Sequence, residues 1–221
     1  MSIITEATIQ GARSETPSIR RLLFQAADPS FTFLPGQWID LARSASGVAG
    51  GFSMASAPGE LGPGRFELGV RRSGHPVSQW LHDQAAVGDV VLIRGGQGPC
   101  VYQPTRGDRV VFVAGGIGLT PMLSMARAVM RSEADLRASF WYSVRDEGDV
   151  AFRPELERLR ADGRFTVQVR VTGDDPTRWL SAAEIRAGQA GSVFYLCGPP
   201  GMVDGIAKGL SGEDVRFEKW W

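Results

Sequence analysis

The segment Val110-Val-Phe-Val-Ala-Gly-Gly-Ile-Gly-Leu-Thr-Pro-Met122 is the most informative part of the sequence, because an apolar, β-branched run ends abruptly in a cluster of glycines. The run predicts a buried strand, and the apolar spacing from Leu123 to Met130 predicts a helix directly after it. Glycines let a backbone approach a ligand closely, and a helix start offers unpaired N–H groups to a phosphate. The stretch therefore indicates a pyrophosphate site, with a tight turn that binds nothing as the alternative.

Strands alternate with helices from Arg109 onward, which predicts βαβ units and a parallel sheet with helices on both faces. The predicted strands are residues 109–114, 138–144, 166–171, 192–196 and 215–218. The predicted helices are residues 121–131, 154–161, 182–187 and 200–210. The second half is therefore expected to be an α/β domain.

The first half contains short strand-like runs between Pro-Gly turns, with one predicted helix at 77–84. The runs are residues 4–10, 19–26, 37–41, 52–55, 66–70 and 90–94. Six short strands at this spacing predict an antiparallel barrel or sandwich. The segment 95–108 is rich in glycine and proline, so we expect a linker there, and domains at 1–104 and 105–221.

The composition argues against several classes of protein. The 221 residues include 24 Lys plus Arg and 24 Asp plus Glu, so no basic surface for nucleic acid is expected. Two cysteines and two histidines show no zinc spacing, and a common iron–sulfur cluster needs four thiolates. We therefore expect no metal site in this chain.

The N-terminus and the apolar runs bear on cellular location. Met1-Ser-Ile-Ile-Thr-Glu has no charged segment leading into an apolar stretch, as a secretory signal would. No uninterrupted apolar run has the length of a membrane span. We therefore expect a cytoplasmic protein that has no membrane partner.

Three segments are expected at the carboxyl edge of the parallel sheet, where ligands of such sheets bind. They are residues 114–120, 142–145 and 197–202, each at the end of a predicted strand. A nucleotide is therefore expected to lie across them.

Four motifs occur in a defined order: Gly50-Gly-Phe-Ser53, Gly74 with Pro76-Val-Ser78, residues 114–122, and Cys197-Gly-Pro-Pro200. In that order the chain resembles the ferredoxin–NADP⁺ reductase superfamily over nearly its full length. The Gly-Gly-Phe-Ser start and the ending Phe217-Glu-Lys-Trp-Trp221 resemble its branch named oxidoreductase NAD-binding domain-containing proteins.

The resemblance implies an N-terminal six-stranded antiparallel β-barrel that holds FAD and a C-terminal α/β domain that holds NADH or NADPH. It implies that hydride passes from nicotinamide to flavin in the cleft between the domains. Ser53, Cys197 and Glu218 would be the catalytic residues. The reduced flavin would then pass electrons to a separate protein, such as a ferredoxin-like or oxygenase component.

The resemblance also implies the residues that contact each cofactor. Those expected at the flavin are Phe52, Ser53, Met54, Ala55, Ser56, Val70, Arg71, Gly74, Val77, Ser78 and Trp220. Those expected at the nicotinamide nucleotide are Gly115, Gly116, Gly118, Thr120, Ser143, Arg145, Cys197, Gly198, Pro199 and Met202.

Two departures from the family pattern affect the flavin. Gly50 stands where the family motif R-x-Y-S has arginine, and Phe52 stands where it has tyrosine. A charged hydrogen bond to the flavin phosphates, worth about 1.5–3 kcal/mol, is therefore missing. Arg71 and Arg72 are the candidates to replace it. A reductase that uses flavin as a loosely bound substrate is one alternative, and a flavoprotein sensor without turnover is another.

Two choices are left open by the sequence. Ser143 and Arg145 favour NADPH, whereas Asp174-Asp175 would repel its 2′-phosphate. Trp220 or Trp221 would cover the flavin ring, but not both, because adjacent side chains on a strand point to opposite faces.

Overall fold

The computed structural model describes residues 3–103, 108–133 and 135–220. The predicted domain boundary between residues 104 and 105 lies outside the described residues, as does Trp221. Among the described residues, no helix is both long and apolar enough to cross a membrane.

The first half forms a six-stranded antiparallel barrel with the strand order β4-β3-β6-β1-β2-β5. Its strands are β1 (Ile3–Ser14), β2 (Ile19–Ala26), β3 (Trp38–Ala42), β4 (Ala49–Ser53), β5 (Arg65–Arg71) and β6 (Val90–Gln97). A bridge between Met54 and Leu68 joins the two ends of this order. One helix, α1 (Pro76–Asp83), lies between β5 and β6. The barrel is therefore confirmed, and the sandwich alternative is wrong.

Two expectations within the barrel were wrong. The fourth strand begins at Ala49 rather than Phe52, because Ala49–Ser53 pairs along its whole length with β3. The predicted linker was expected to begin at Gly95, but β6 continues to Gln97. Gly95 pairs with Ile3, and Gln97 pairs with Trp38. In both places strand pairing overrides the low strand propensity of glycine.

The second half is a five-stranded parallel sheet with the order β11-β10-β7-β8-β9. Its strands are β7 (Arg109–Gly115), β8 (Arg137–Val144), β9 (Phe165–Val171), β10 (Val193–Gly198) and β11 (Asp214–Lys219). Its helices are α2 (Leu119–Arg131), α3 (Arg153–Ala161), α4 (Ala182–Arg186) and α5 (Pro200–Gly209).

The helices cover both faces of this sheet, as predicted. Side chains of α2 and α3 share one core with Phe112 and Phe140, whereas those of α4 and α5 share another with Val111 and Val113. The strand order reverses at β7, because the chain runs from β7 to β8 and β9 on one side and returns to β10 on the other. The carboxyl ends of β7 and β10 therefore form the crevice in which such sheets bind ligands.

Four charged residues join the two halves, and we call Arg21, Glu67, Arg127 and Glu155 the seam cluster. Arg21 is partly buried and the other three are buried. Arg127 lies 2.8 Å from Glu67 and 3.2 Å from Glu155. Arg21 lies 2.7 Å from Glu155 and also pairs with Glu67. Arg21 and Glu67 belong to the barrel, whereas Arg127 and Glu155 lie on α2 and α3. The seam cluster therefore fixes the barrel against the helices of the α/β half.

Phe152 lies within this seam in a left-handed conformation, with φ of 53°. Its N–H donates to Glu15 Oε2 at 3.1 Å, and the guanidinium of Arg21 lies 5.0 Å from its ring centroid. The ring also packs against Gly69, where a Cβ would come within 3.0 Å of it. Contacts from the barrel therefore hold, within the α/β half, a conformation that costs a non-glycine residue about 1–3 kcal/mol.

Candidate functional site

The glycine turn after β7 packs directly on the end of β10. A Cβ at Gly118 would overlap the carbonyl group of Cys197 and lie 2.7 Å from Gly198 N. A Cβ at Gly115 would lie 2.6 Å from Met202 Sδ and 2.9 Å from Pro199 Cδ. Only glycine fits these positions, so the structure brings the two predicted nucleotide segments together.

Thr120 and Gly116 complete this turn. Gly116 has φ of +54°, which favours glycine, and a short 3₁₀ turn, Gly116–Gly118, leads directly into α2. The hydroxyl of Thr120 donates to the Ile117 carbonyl at 3.1 Å, so it stabilises the turn itself. The helix therefore begins two residues earlier than predicted and points its first N–H groups into the crevice.

Cys197 is fully buried between Ala114 of β7 and Glu218 of β11, which are its neighbours in register. Burial raises the pKa of its thiol well above the usual value, and the charges of Glu218 and Cys100 act in the same direction. The thiol therefore stays neutral near pH 7. Such a group suits contact with a ring rather than nucleophilic attack, which requires the thiolate.

Trp220 lies at the β10 end of the crevice, and it also contacts the barrel. Its backbone N–H donates to the Gly198 carbonyl at 3.2 Å, and a Cβ at Gly51 would lie 3.3 Å from its indole ring. Its ring meets that of Trp38 edge-on, with the centroids 6.1 Å apart. The end of β11 is therefore packed against β3 and β4 of the barrel.

Glu218 lies beside the same two indoles. A Cβ at Gly98 would lie 2.7 Å from Trp38 Nε1 and 3.0 Å from Glu218 Oε1. Burial raises the pKa of the Glu218 carboxyl above its usual value, and the indoles of Trp220 and Trp38 partly oppose this shift. The sequence predicts that Glu218 approaches Ser53. In the structure Trp38 connects the two residues, because it lies beside Glu218 and is the register partner of Ser53.

Phe52 occupies the space beside Gly50. A Cβ at Gly50 would lie 2.8 Å from the Phe52 ring and 3.2 Å from His75 Cε1. An arginine at residue 50 would therefore require Phe52 to move. Ser53, the next residue, ends β4 and is buried, with 6% of its surface exposed.

Met54, Ala55 and Ser56 are fully buried behind β4. Two of their N–H groups are already used within the barrel, because Met54 donates to the Gln37 carbonyl and Ala55 to the Glu67 carbonyl. The Ser56 carbonyl accepts from the hydroxyl of Ser124 at 2.7 Å. These three residues brace the barrel against α2, and their contact with a flavin stays a prediction.

Arg71 reaches from the barrel toward the glycine turn. Its Nη1 lies 3.8 Å from the Cβ position of Gly116, and its guanidinium makes no hydrogen bond or ion pair with the described residues. Arg72 instead pairs with Asp83 at 2.6 Å. Val70 is fully buried in the barrel core. Of the two adjacent arginines, Arg71 is therefore the one that is available to a phosphate.

The start of α1 is fixed by its own side chains. The Ser78 hydroxyl donates to the Arg71 carbonyl at 2.7 Å and accepts from Ser73 N–H at 3.1 Å. His75 Nδ1 accepts from Val77 N–H at 3.3 Å, so this N–H is also used. Gly74 is exposed, with no atom within 4 Å of its Cβ position. Ser78 therefore holds the loop that approaches α1.

Ser143 and Arg145 lie at the end of β8, on the side of β7 away from Cys197. Ser143 is the register partner of Gly115, which places it beside the glycine turn. Arg145 is exposed and lies 3.8 Å from Asp174. These residues are therefore at the opposite end of the crevice from Glu218 and Trp220.

The sequence reasoning did not identify Trp38 or the seam cluster. Trp38 follows Pro35-Gly36-Gln37 and opens a strand, so an aromatic residue at this turn was an available signal. Glu67 and Arg127 each interrupt an apolar run, which also indicates a buried partner rather than a solvent-facing charge. Across the described residues, no group of His, Cys, Asp and Glu side chains could hold a metal ion.

The barrel, the parallel sheet and the crevice between them define a ferredoxin reductase-like fold. The ferredoxin reductase in carbazole 1,9a-dioxygenase has this fold with a TM-score of 0.83 and 25% sequence identity, over 100% of this chain and 70% of its own. The profile of the family described as oxidoreductase NAD-binding domain matches residues 112–208.

Two curated relatives extend this similarity through the barrel. Oxidoreductase NAD-binding domain-containing protein 1 of Bos taurus is 31% identical over 99% of this chain and 81% of its own length. Ferredoxin–NADP reductase B of Sorangium cellulosum (strain So ce56) is 34% identical over 78% of this chain and 71% of its own. The chain belongs to the family of oxidoreductase NAD-binding domain-containing proteins. It is a ferredoxin reductase-like oxidoreductase with a nicotinamide-nucleotide-binding domain.

Proposed function

We propose that this chain is an FAD-dependent NAD(P)H oxidoreductase, with the flavin in a barrel domain, 1–104, and the nucleotide in an α/β domain, 105–221. The observation that carries the proposal is the position of Trp220. Its indole packs on Gly51 in the barrel, while its backbone N–H donates to the Gly198 carbonyl beside Cys197. One residue therefore contacts both segments between which a hydride would pass.

The described residues fit the two cofactors. At Gly116 of the glycine turn the atom nearest the Cβ position is Arg71 Nη1, at 3.8 Å, and this guanidinium makes no ion pair with the described residues. A phosphate placed beside Gly116 would therefore meet a cation that is available to it. Glu218 Oε2 is buried and has no hydrogen-bond partner among the described residues. Once Trp220 is displaced, the NH₂ group of a carboxamide is the kind of donor that this acceptor can bind.

Bound FAD would supply the chemistry by taking up a hydride from the nicotinamide and releasing electrons onward. The chain would bind and orient the reactants. Gly118 and Cys197 form the wall beside the nicotinamide, and the neutral thiol adds no charge there. Trp220 excludes water from the cleft until the nucleotide displaces it.

We propose a separate protein as the electron acceptor, of the ferredoxin-like or oxygenase-component type. The present chain has only two cysteines, which cannot provide the four thiolates of a common iron–sulfur cluster. The similar solved structure is named as the ferredoxin reductase in a dioxygenase, which supports this class of partner.

One observation favours a second candidate, an NAD(P)H:flavin reductase that treats flavin as a loosely bound substrate. The Phe52 ring fills the space beside Gly50, so no arginine reaches the flavin phosphates from that position. Gel filtration separates the two candidates, because a tightly bound flavin elutes with the protein and a substrate flavin does not.

Anaerobic mixing with NADH and with NADPH tests the proposal. Bleaching of the visible absorbance of the oxidised flavin is expected with at least one of them. A flavin that stays oxidised with both nucleotides would contradict the enzymatic function and favour a sensor. A screen of acceptor proteins under the same conditions then identifies the partner class.

A further inference from the structure

The loop after β8 carries charges of both signs where an adenosine ribose is expected. In α/β nucleotide domains, an acidic residue near this place accepts a hydrogen bond from the ribose 2′-OH of NAD, whereas an arginine accommodates the 2′-phosphate of NADP. Here β8 ends at Val144 and is followed by Arg145, Asp146 and Glu147. The residue types alone therefore allow either nucleotide.

The loop after β9 is hydrogen-bonded to this first loop. Thr172 N–H donates to the Val144 carbonyl at 2.9 Å, and Gly173 N–H donates to the Arg145 carbonyl at 2.8 Å. These bonds bring the next residue, Asp174, alongside Arg145, with Oδ1 3.8 Å from Nε. The guanidinium that a 2′-phosphate would need therefore already faces a carboxylate.

Other charged residues at the carboxyl edge of the sheet also disfavour a 2′-phosphate. Arg153 is held by Glu147, through its carboxylate at 2.7 Å and its carbonyl at 2.6 Å. The Asp146 carboxylate makes no hydrogen bond or ion pair with the described residues. Residues 143–153 and 172–178 together contain five carboxylates and three guanidiniums. A phosphate adds about −1.5 to −2 charge near pH 7, and this excess repels it.

Resting on the function proposed above, we propose that this site selects NADH over NADPH. Asp174 is the specificity-determining residue, because its exposed carboxylate lies beside Arg145 and places a negative charge next to the position of a 2′-phosphate. Asp146 is the carboxylate that is available to the ribose hydroxyl.

Equilibrium binding of NAD⁺ and NADP⁺ to the purified full chain, measured by calorimetry, tests this selection without relying on turnover. NAD⁺ is expected to bind at least about tenfold more tightly, as for a few like charges at short range. In Asp174→Asn, NADP⁺ is expected to bind about three- to tenfold more tightly than in the wild type. The ratio of the NAD⁺ affinity to the NADP⁺ affinity should therefore decrease.

Asp135→Asn is the matched control, because it removes the same charge from an exposed residue before β8, at the opposite edge of the sheet. It should leave the NAD⁺-to-NADP⁺ ratio unchanged. Equal or tighter binding of NADP⁺ by the wild type would overturn the selection while leaving the proposed oxidoreductase intact. An Asp174→Asn ratio equal to that of the control would overturn the assignment to Asp174. Failure of both nucleotides to bind would overturn the proposed function itself.

Discussion

The indole of Trp38 meets the indole of Trp220 edge-on, with ring centroids 6.1 Å apart and ring planes at 84°. Trp38 opens a barrel strand, and Trp220 follows the last strand of the α/β half. An edge-to-face pair of this kind contributes about 0.5–1.5 kcal/mol beyond its buried area. This contact is weak enough for a nicotinamide ring to displace the Trp220 indole from the crevice.

Trp220→Ala is expected to tighten NAD⁺ binding by about three- to tenfold, because the nicotinamide no longer has to displace the indole. Calorimetry on the oxidised protein measures the change. Phe217→Ala is the control, since Phe217 lies on the strand that leads to Trp220 and is 46% exposed. Unchanged affinity in Trp220→Ala would remove the gating role.

Glu218→Gln is expected to change how stability depends on pH. The pKa of Glu218 is raised in the folded state by burial, so its contribution to stability is complete below the unfolded pKa and is lost as pH rises through the folded value. The melting temperature of the wild type should therefore fall relative to Glu218→Gln above the ordinary carboxyl range. Thermal melts between about pH 4 and 8 measure it, with Glu133→Gln as the exposed control. A difference in melting temperature between the wild type and Glu218→Gln that stays constant with pH would contradict the prediction.

Arg127→Met is expected to destabilise the protein, because it leaves Glu67 and Glu155 buried with only Arg21 as a cation. Breaking a buried charge pair typically costs about 3–5 kcal/mol, which corresponds to a fall of about 10 °C in Tm. Urea unfolding measures the free energy. Arg160→Met, which loses an ion pair with the exposed Glu157, should stay within about 0.5 kcal/mol of the wild type. Equal losses of unfolding free energy in Arg127→Met and Arg160→Met would show that the seam cluster contributes no more stability than an exposed ion pair.

Gly118→Ala is expected to weaken NAD⁺ binding by at least about tenfold, because the new Cβ overlaps the Cys197 carbonyl and moves the turn. Its flavin should stay bound, since the barrel is not touched. Gly148→Ala is the control, because no atom lies within 4 Å of that Cβ position. The two affinities are compared at a temperature well below both melting points. Wild-type affinity in Gly118→Ala would mean that the turn does not contact the nucleotide.

Arg71→Ala is expected to weaken FAD binding about 10- to 100-fold, as for the loss of one charged hydrogen bond to a phosphate. The flavin retained after gel filtration and a fluorescence titration both measure it. Arg72→Ala provides the comparison, because Arg72 is paired with Asp83 and should retain most of the flavin. Equal retention by both variants would contradict the assignment of Arg71 to the phosphates.

Alternating and periodic apolar residues allowed most elements to be predicted. The predicted strand at 19–26 is β2 to the residue, since its core-facing positions recur regularly between clear turns. The crevice was also predictable, because the carboxyl ends of parallel strands share one edge. The sequence therefore predicts that Gly115, Gly118 and Cys197 lie close together.

Features that depend on pairing across the chain could not be predicted in this way. β4 begins in Ala49-Gly50-Gly51, which has almost no strand propensity and is defined by its partner β3. The charges of the seam cluster are typical of a solvent-facing surface until the barrel meets α2 and α3. Trp38 shows no link to Trp220 in the sequence, because 182 positions separate them.

The neighbouring positions of β7 and β10 have an evolutionary consequence. The two segments that would line the nicotinamide come from adjacent strands, although residues 116–192 lie between them. The loops after β8 and β9 can therefore lengthen, shorten or change charge while the reacting end of the crevice keeps its shape. A lineage with this architecture can exchange one electron donor for another without redesigning its redox chemistry.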